Sequence, residues 1–120
     1  MARIINISSI HAKRPTCFDA GYAMTKGADR MFTRELALEL TRDNITVNGI
    51  TLGGCKIEFK TGHPKWDLKA PKEVGNPALK GVSRMVDPVD VGNTILFLCS
   101  EEASALTGDS IRIDRGLMLV

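Results

Sequence analysis

The sequence predicts an α/β fold, a parallel sheet of about three strands with flanking helices. Two observations carry this. Short β-branched runs alternate along the chain with longer stretches whose apolar residues recur at spacings of three and four. Strands separated by helices imply right-handed crossovers, and crossovers of that kind place the strands parallel.

The first strand is Arg3 to Ser8, where Ile4, Ile5 and Ile7 are interrupted only by Asn6. Such a run suits a strand buried on both faces of a parallel sheet. His11 to Thr16 breaks it, and Pro15 excludes a central strand there. From about Asp19 to Arg42 the pattern is helical: Tyr22, Ala23, Met31, Phe32, Leu36, Ala37 and Leu40 share the helical period, with Asp19 as N-cap. Arg42, Asp43 and Asn44 mark the exit. Ile45 to Thr51 returns to strand composition.

Gly53 to about Val86 has no clean period and is rich in glycine and proline. A segment this long without a period is usually a lid or a binding loop. Asp87-Pro88-Val89-Asp90 then starts a helix, with Asp87 as N-cap and Pro88 at the first helical position. Val91, Ile95, Leu96 and Leu98 give that helix its apolar face, and it ends near Ser100. Thr107-Gly108-Asp109 is a turn, and Ser110 to Ile113 is the last strand. No internal repeat, low-complexity tract or interdomain linker divides the 120 residues.

Composition narrows the function classes. Hydrophobic residues at 43% and charged residues at 25% are ordinary for a soluble globular protein. A net charge of +2 argues for neither nucleic-acid nor membrane binding. Cys17, Cys55 and Cys99 form no CxxC pair, and His11 and His63 have no metal-ligand spacing. Reduced thiols in a cytoplasmic protein without a metal centre are the simplest account. The apolar stretch at the start is too short for a signal peptide or a membrane span.

The feature that bears on chemistry is Tyr22 followed by Lys26, in the run YAMTK. At helical spacing both side chains lie on one face, one turn apart. A phenol with its ordinary pKa of about 10 is a poor proton donor or acceptor at neutral pH. An ammonium at about 4 Å, in an effective dielectric near 20, is worth about 4 kcal/mol to the phenolate. The pair can therefore serve as a general acid/base. Taken by itself the spacing is common, and an exposed Tyr/Lys pair explains it. Its context is the serine pair Ser8-Ser9 at the carboxyl end of the first strand, where α/β sheets bind ligands.

On these residues the chain resembles the short-chain dehydrogenases/reductases across essentially its whole length. IINISS resembles the strand that delivers their serine, YAMTK their YxxxK motif, and ITVNGITLGG the next strand and the segment after it. DPVDVGNTILFLCSEEASALTGDSIRIDRG resembles their last helix, tight turn and final strand. The resemblance implies the carboxyl-terminal part of a Rossmann-like doubly wound parallel sheet. It implies NAD or NADP as cofactor, a small-molecule carbonyl or alcohol as substrate, and a homo-oligomer. Tyr22 would be the proton donor and acceptor. Lys26 would lower its pKa and bind the nicotinamide ribose. Ser9 would orient the substrate oxygen, the family's spacing favouring it over Ser8. Gly53, Gly54, Cys55 and Ile57 would lie along the nicotinamide, and the residues from Lys56 to Val86 would form the substrate loop.

Three departures stand against that pattern. Leu52 replaces the family's usual proline, and Ile57 stands where a threonine is frequent. The glycine-rich TGxxxGxG turn and the rest of the family's amino-terminal half have no counterpart in the chain. His11 follows the serine pair and is a candidate substrate contact, although a solvated loop position is the simpler account of it. Phe59 and Trp66 either line a pocket or pack the loop. Basic residues outnumber acidic ones between Cys55 and Val86. That balance suits an anionic substrate, and a solvated loop explains it as readily.

Overall fold

The computed structural model describes residues 1–15, 19–56 and 84–119. Five regular elements run in the order β1 (Ala2–Ser9), α1 (Ala20–Leu40), β2 (Ile45–Leu52), α2 (Pro88–Cys99) and β3 (Ser110–Ile113). All three strands are parallel, in the spatial order β1-β2-β3. The register runs from Ala2 opposite Ile45 to Ser9 opposite Leu52, and from Gly49 opposite Ser110 to Leu52 opposite Ile113.

Side-chain alternation assigns the helices to the two faces. On one face Asn6 donates to Thr33 Oγ1 and Ser8 to the Lys26 carbonyl, both on α1. On the other, Ile5, Ile50, Leu52, Ile111 and Ile113 pack with Val91, Ile95 and Leu98 of α2. This is the two-sided covering of a doubly wound sheet.

The middle strand, not the first, is the fully buried one. Val47 and Ile50 of β2 are wholly enclosed, whereas Ile4 and Ile5 of β1 are half-buried and Ile7 is 41% exposed. Among the described residues β1 pairs with β2 alone, so its other edge has no strand beside it. The expectation of burial on both faces, made for the first strand, therefore fails for β1, and it is β2 that is buried in that way.

Three details of the helices also differ from the sequence pattern. Asp19 occupies the N-cap position of α1 but makes no side-chain capping bond. The inner stripe of α1 is built on Thr33 and Ala37, and Met31 and Phe32 face outward. On α2, Leu98 is buried while Leu96 is exposed, because 96 falls off the stripe that 91, 95 and 98 define. The local stop and start signals behave as expected. Asn44 takes the left-handed conformation with φ 56° after α1, and Asp87 Oδ1 accepts from Val89 N–H at 3.0 Å to cap α2.

Beyond β2 the chain passes through Gly53 and Gly54 to Cys55, which forms an isolated parallel bridge with Val86. Lys56 N–H donates to the Val86 carbonyl and Val86 N–H to the Gly54 carbonyl. The segment between Gly53 and Val86 thus has described residues at either end, Cys55 and Val86, that lie together. Its interior, with Ile57, Phe59, Trp66 and most of the basic residues, lies outside the described residues.

The chain's final turn is organised by Asp114, which is 4% exposed. Its Oδ1 accepts from Gly116 N–H at 3.0 Å and its Oδ2 from Met118 N–H at 2.9 Å, with Arg112 Nε 3.4 Å away.

Candidate active site

The carboxyl end of β1 presents Ser8 and Ser9 to opposite faces, and their hydroxyls do different things. Ser8 Oγ donates to the Lys26 carbonyl at 2.8 Å and is committed to holding α1 on the sheet. Ser9 Oγ accepts from His11 N–H at 3.2 Å, as the cap of a 3-10 turn over Ile10–Ala12. Having accepted a backbone bond, the Ser9 hydroxyl keeps its own proton to donate. That is the property wanted of a group that holds a carbonyl oxygen, and Ser8 lacks it.

Tyr22 lies in the first turn of α1 with its side chain open to solvent. Lys26, one turn later, places Nζ 5.7 Å from the centroid of the Tyr22 ring. The ammonium donates to the Ile7 carbonyl at 3.0 Å and to Asp29 Oδ2 at 3.2 Å. It is therefore fixed by the end of β1 and by a carboxylate of its own helix. Asp29 was missed in the sequence, although its three-residue separation from Lys26 is the spacing of a helical ion pair.

His11 is not a solvated loop residue. The turn after Ser9 folds it against α1, where its ring meets that of Tyr22 edge-on, with centroids 5.4 Å apart and planes at 85°. Its Nδ1 lies 3.8 Å from Asp19 Oδ2. Ser9, His11, Tyr22 and Lys26 are thus brought to one end of the sheet.

The glycine segment has a structural explanation. A methyl group on Gly53 would come within 2.8 Å of Asp114 Cβ, so glycine is demanded there by the packing of β2 against the end of β3. Gly53 N–H also donates to the Ile113 carbonyl. Gly54 and Cys55 are held by the bridge to Val86.

A dinucleotide fits these residues at one end. The Tyr22 hydroxyl and the Lys26 ammonium are accessible polar groups suited to ribose hydroxyls. The pyrophosphate needs a glycine-rich turn opening a helix after a strand. Among the described residues β1 leads instead into the Ile10–Ala12 turn. No group of three or more His, Cys, Asp or Glu among the described residues could hold a metal ion. No helix among them is long and apolar enough to cross a membrane.

Comparison with known proteins decides the family. A family model described as "Enoyl-(Acyl carrier protein) reductase" matches residues 1–118. The chain belongs to the short-chain dehydrogenase/reductase family. It is 35% identical over 113 residues to a 2,5-dichloro-2,5-cyclohexadiene-1,4-diol dehydrogenase of Sphingobium indicum, covering 94% of this chain and 43% of that protein. A putative oxidoreductase from Escherichia coli K-12 superposes with a TM-score of 0.76 at 31% identity, over 98% of this chain and 43% of that one. A short-chain dehydrogenase/reductase from Serratia marcescens superposes with a TM-score of 0.69 at 27% identity, over 95% and 42%. The chain therefore spans less than half the length of these short-chain dehydrogenases/reductases, and it corresponds to part of their sheet.

Proposed function

We propose that this chain carries the proton-transfer residues of an NAD- or NADP-dependent oxidoreductase acting on a small-molecule carbonyl or alcohol. The observation that supports the reading best is the exposed Tyr22 phenol beside the Lys26 ammonium, at the strand end that also delivers Ser9.

The nicotinamide, when bound, supplies or takes the hydride. The rest falls to the chain. Ser9 donates a hydrogen bond to the carbonyl oxygen and orients it. Tyr22 gives its phenolic proton to that oxygen as the negative charge develops, and takes it back in alcohol oxidation. Lys26 stabilises the phenolate left behind, and the Ile7 carbonyl and Asp29 keep the ammonium in place.

The proposed division of labour predicts that the 120-residue chain by itself binds NADH and NADPH weakly. Only the nicotinamide end has partners here, so calorimetric titration should give a Kd well above the micromolar range. Micromolar binding with a cooperative thermal melt would show that a glycine-rich turn is dispensable for this chain.

A second reading, association without catalysis, is supported by α1. Met24, Met31 and Leu38 recur every seven residues on its outer face and are exposed, with Phe32 beside them. Such a stripe suits packing against a copy of itself. The association face read from the sequence, Phe32, Leu36, Ala37 and Leu40, shares only Phe32 with this stripe, and its Ala37 is buried. Homo-oligomerisation through the outer stripe predicts that Met31→Glu with Leu38→Glu lowers the mass seen by light scattering. An unchanged mass would exclude this face.

A further inference from the structure

His11 is placed with more care than a loop residue needs. Ser9 Oγ holds its N–H, and both Lys13 N–H and Arg14 N–H donate to the Ile10 carbonyl, at 3.0 and 2.9 Å. Ile10 itself is buried and anchors the turn. The backbone of His11 is thus fixed on both sides. Its Nδ1 is buried without a hydrogen-bond partner, and an orphaned buried nitrogen calls for an explanation.

The nearest acid is Asp19. Its carboxylate does not cap α1, as its position would lead one to expect, but approaches His11 Nδ1 at 3.8 Å. The Asp19 carboxylate thus lies beside the imidazole nitrogen and makes no bond to the helix amino terminus. A hydrogen on Nδ1, present in the imidazolium and in one neutral tautomer, would point at Asp19, and the charged form would make the pair ionic.

The arrangement repeats what Lys26 does. The Tyr22 ring has two basic side chains within 6 Å, Lys26 at 5.7 Å and His11 at 5.4 Å, and each has a carboxylate beside it, Asp29 and Asp19 respectively. Of the two residue types, histidine is the one whose ordinary pKa lies near neutrality.

We propose that His11 is a positioning residue for Tyr22, fixing the phenol ring edge-on and, with Asp19, placing a pH-dependent positive charge beside it. The inference rests on the reading of Tyr22 as the acid/base and extends it. The other groups around His11 leave this coupling in place. From its own turn come Lys13 and Arg14, the latter donating to the Leu117 carbonyl at 3.2 Å. From α1 come Tyr22, Lys26 and Asp29. From β2, which also packs on the turn, comes no titratable side chain.

Tyr22 is the only tyrosine and His11 one of two histidines, so NMR can follow both without ambiguity. The 120-residue chain, labelled with 13Cζ-tyrosine and 13Cε1-histidine, is titrated from pH 5 to 8, with His63→Gln identifying the His11 signal. The Tyr22 resonance is expected to show a step at the pH where His11 titrates. In His11→Gln the step should vanish. In Asp19→Asn any change in the His11 inflection should be followed by the Tyr22 step. A flat Tyr22 signal, a step that survives His11→Gln, or histidine and tyrosine signals that titrate independently would each overturn the proposal. The readout needs no turnover. A Tyr22 step that tracks His11 stands even if Tyr22 proves unnecessary for hydride transfer, so the two claims fail separately.

Discussion

Tyr22→Phe is expected to lower kcat by about 10²–10⁴-fold, the range that one positioned proton donor supplies. The setting is a protein that joins these 120 residues to the dinucleotide-binding half of a family member. The substitution keeps the ring, its edge-on contact with His11 and its place beside Lys26, and removes only the transferable proton. The loss should therefore fall on kcat with little change in the melt. Lys26→Met should cost both turnover and cofactor affinity, since it removes the charge near the phenol and the donor proposed for the ribose. Ser9→Ala should also impair turnover, and in addition it frees His11 N–H from its acceptor. Wild-type turnover in Tyr22→Phe would remove the basis for the proposed chemistry.

The largest effect on stability is expected at Asp114. Replacing it by alanine strands the N–H groups of Gly116 and Met118 and leaves Arg112 without its carboxylate. Hydrogen bonds to a charged group are worth about 1.5–3 kcal/mol each, and part of that returns as water reaches the opened turn. A net loss of about 2–4 kcal/mol is expected in urea unfolding. Asp114→Asn keeps one good acceptor and should lose roughly half as much. Gly53→Ala should destabilise as well, by about 1–3 kcal/mol, because the added methyl meets Asp114 on backbone that cannot easily retreat. A change under about 0.5 kcal/mol in Asp114→Ala would mean that the turn is held by something else.

What the sequence revealed and what it hid divide along the range of the interactions involved. Asp87-Pro88 and Asn44 act within one turn of backbone, and both helix boundaries were legible for that reason. The alternation of strand and helix was legible because each element carries its own period. The open, apolar edge beside Ile4, Ile5 and Ile7 was legible only through the family resemblance, which puts a further strand on that side of β1, because an isoleucine run by itself reads the same at an edge and in the middle. The pair Tyr22 and Lys26 was visible from helical spacing, and Ser9 was preferred to Ser8 on its spacing from the tyrosine. The structure adds the hydrogen bonds that distinguish the two hydroxyls. The roles of Asp19 and His11 were hidden for one reason. A residue labelled as a cap and a residue labelled as a loop meet only once the Ile10–Ala12 turn has reversed the chain. Asp114 was hidden because it binds residues that follow it in a turn with no repeating pattern.

The bridge between Cys55 and Val86 has an evolutionary consequence. Whatever course residues 57–83 take, the positions just outside them sit beside a bridge that holds Cys55 and Val86 together. The entropy of closing such an excursion grows only with the logarithm of its length, so doubling it costs about 0.6 kcal/mol. Lengthening, shortening or replacing that stretch is therefore cheap beside altering β2 or Gly53. The scaffold can thus be inherited nearly unchanged while the inserted stretch diversifies, with selection acting on the two parts almost independently.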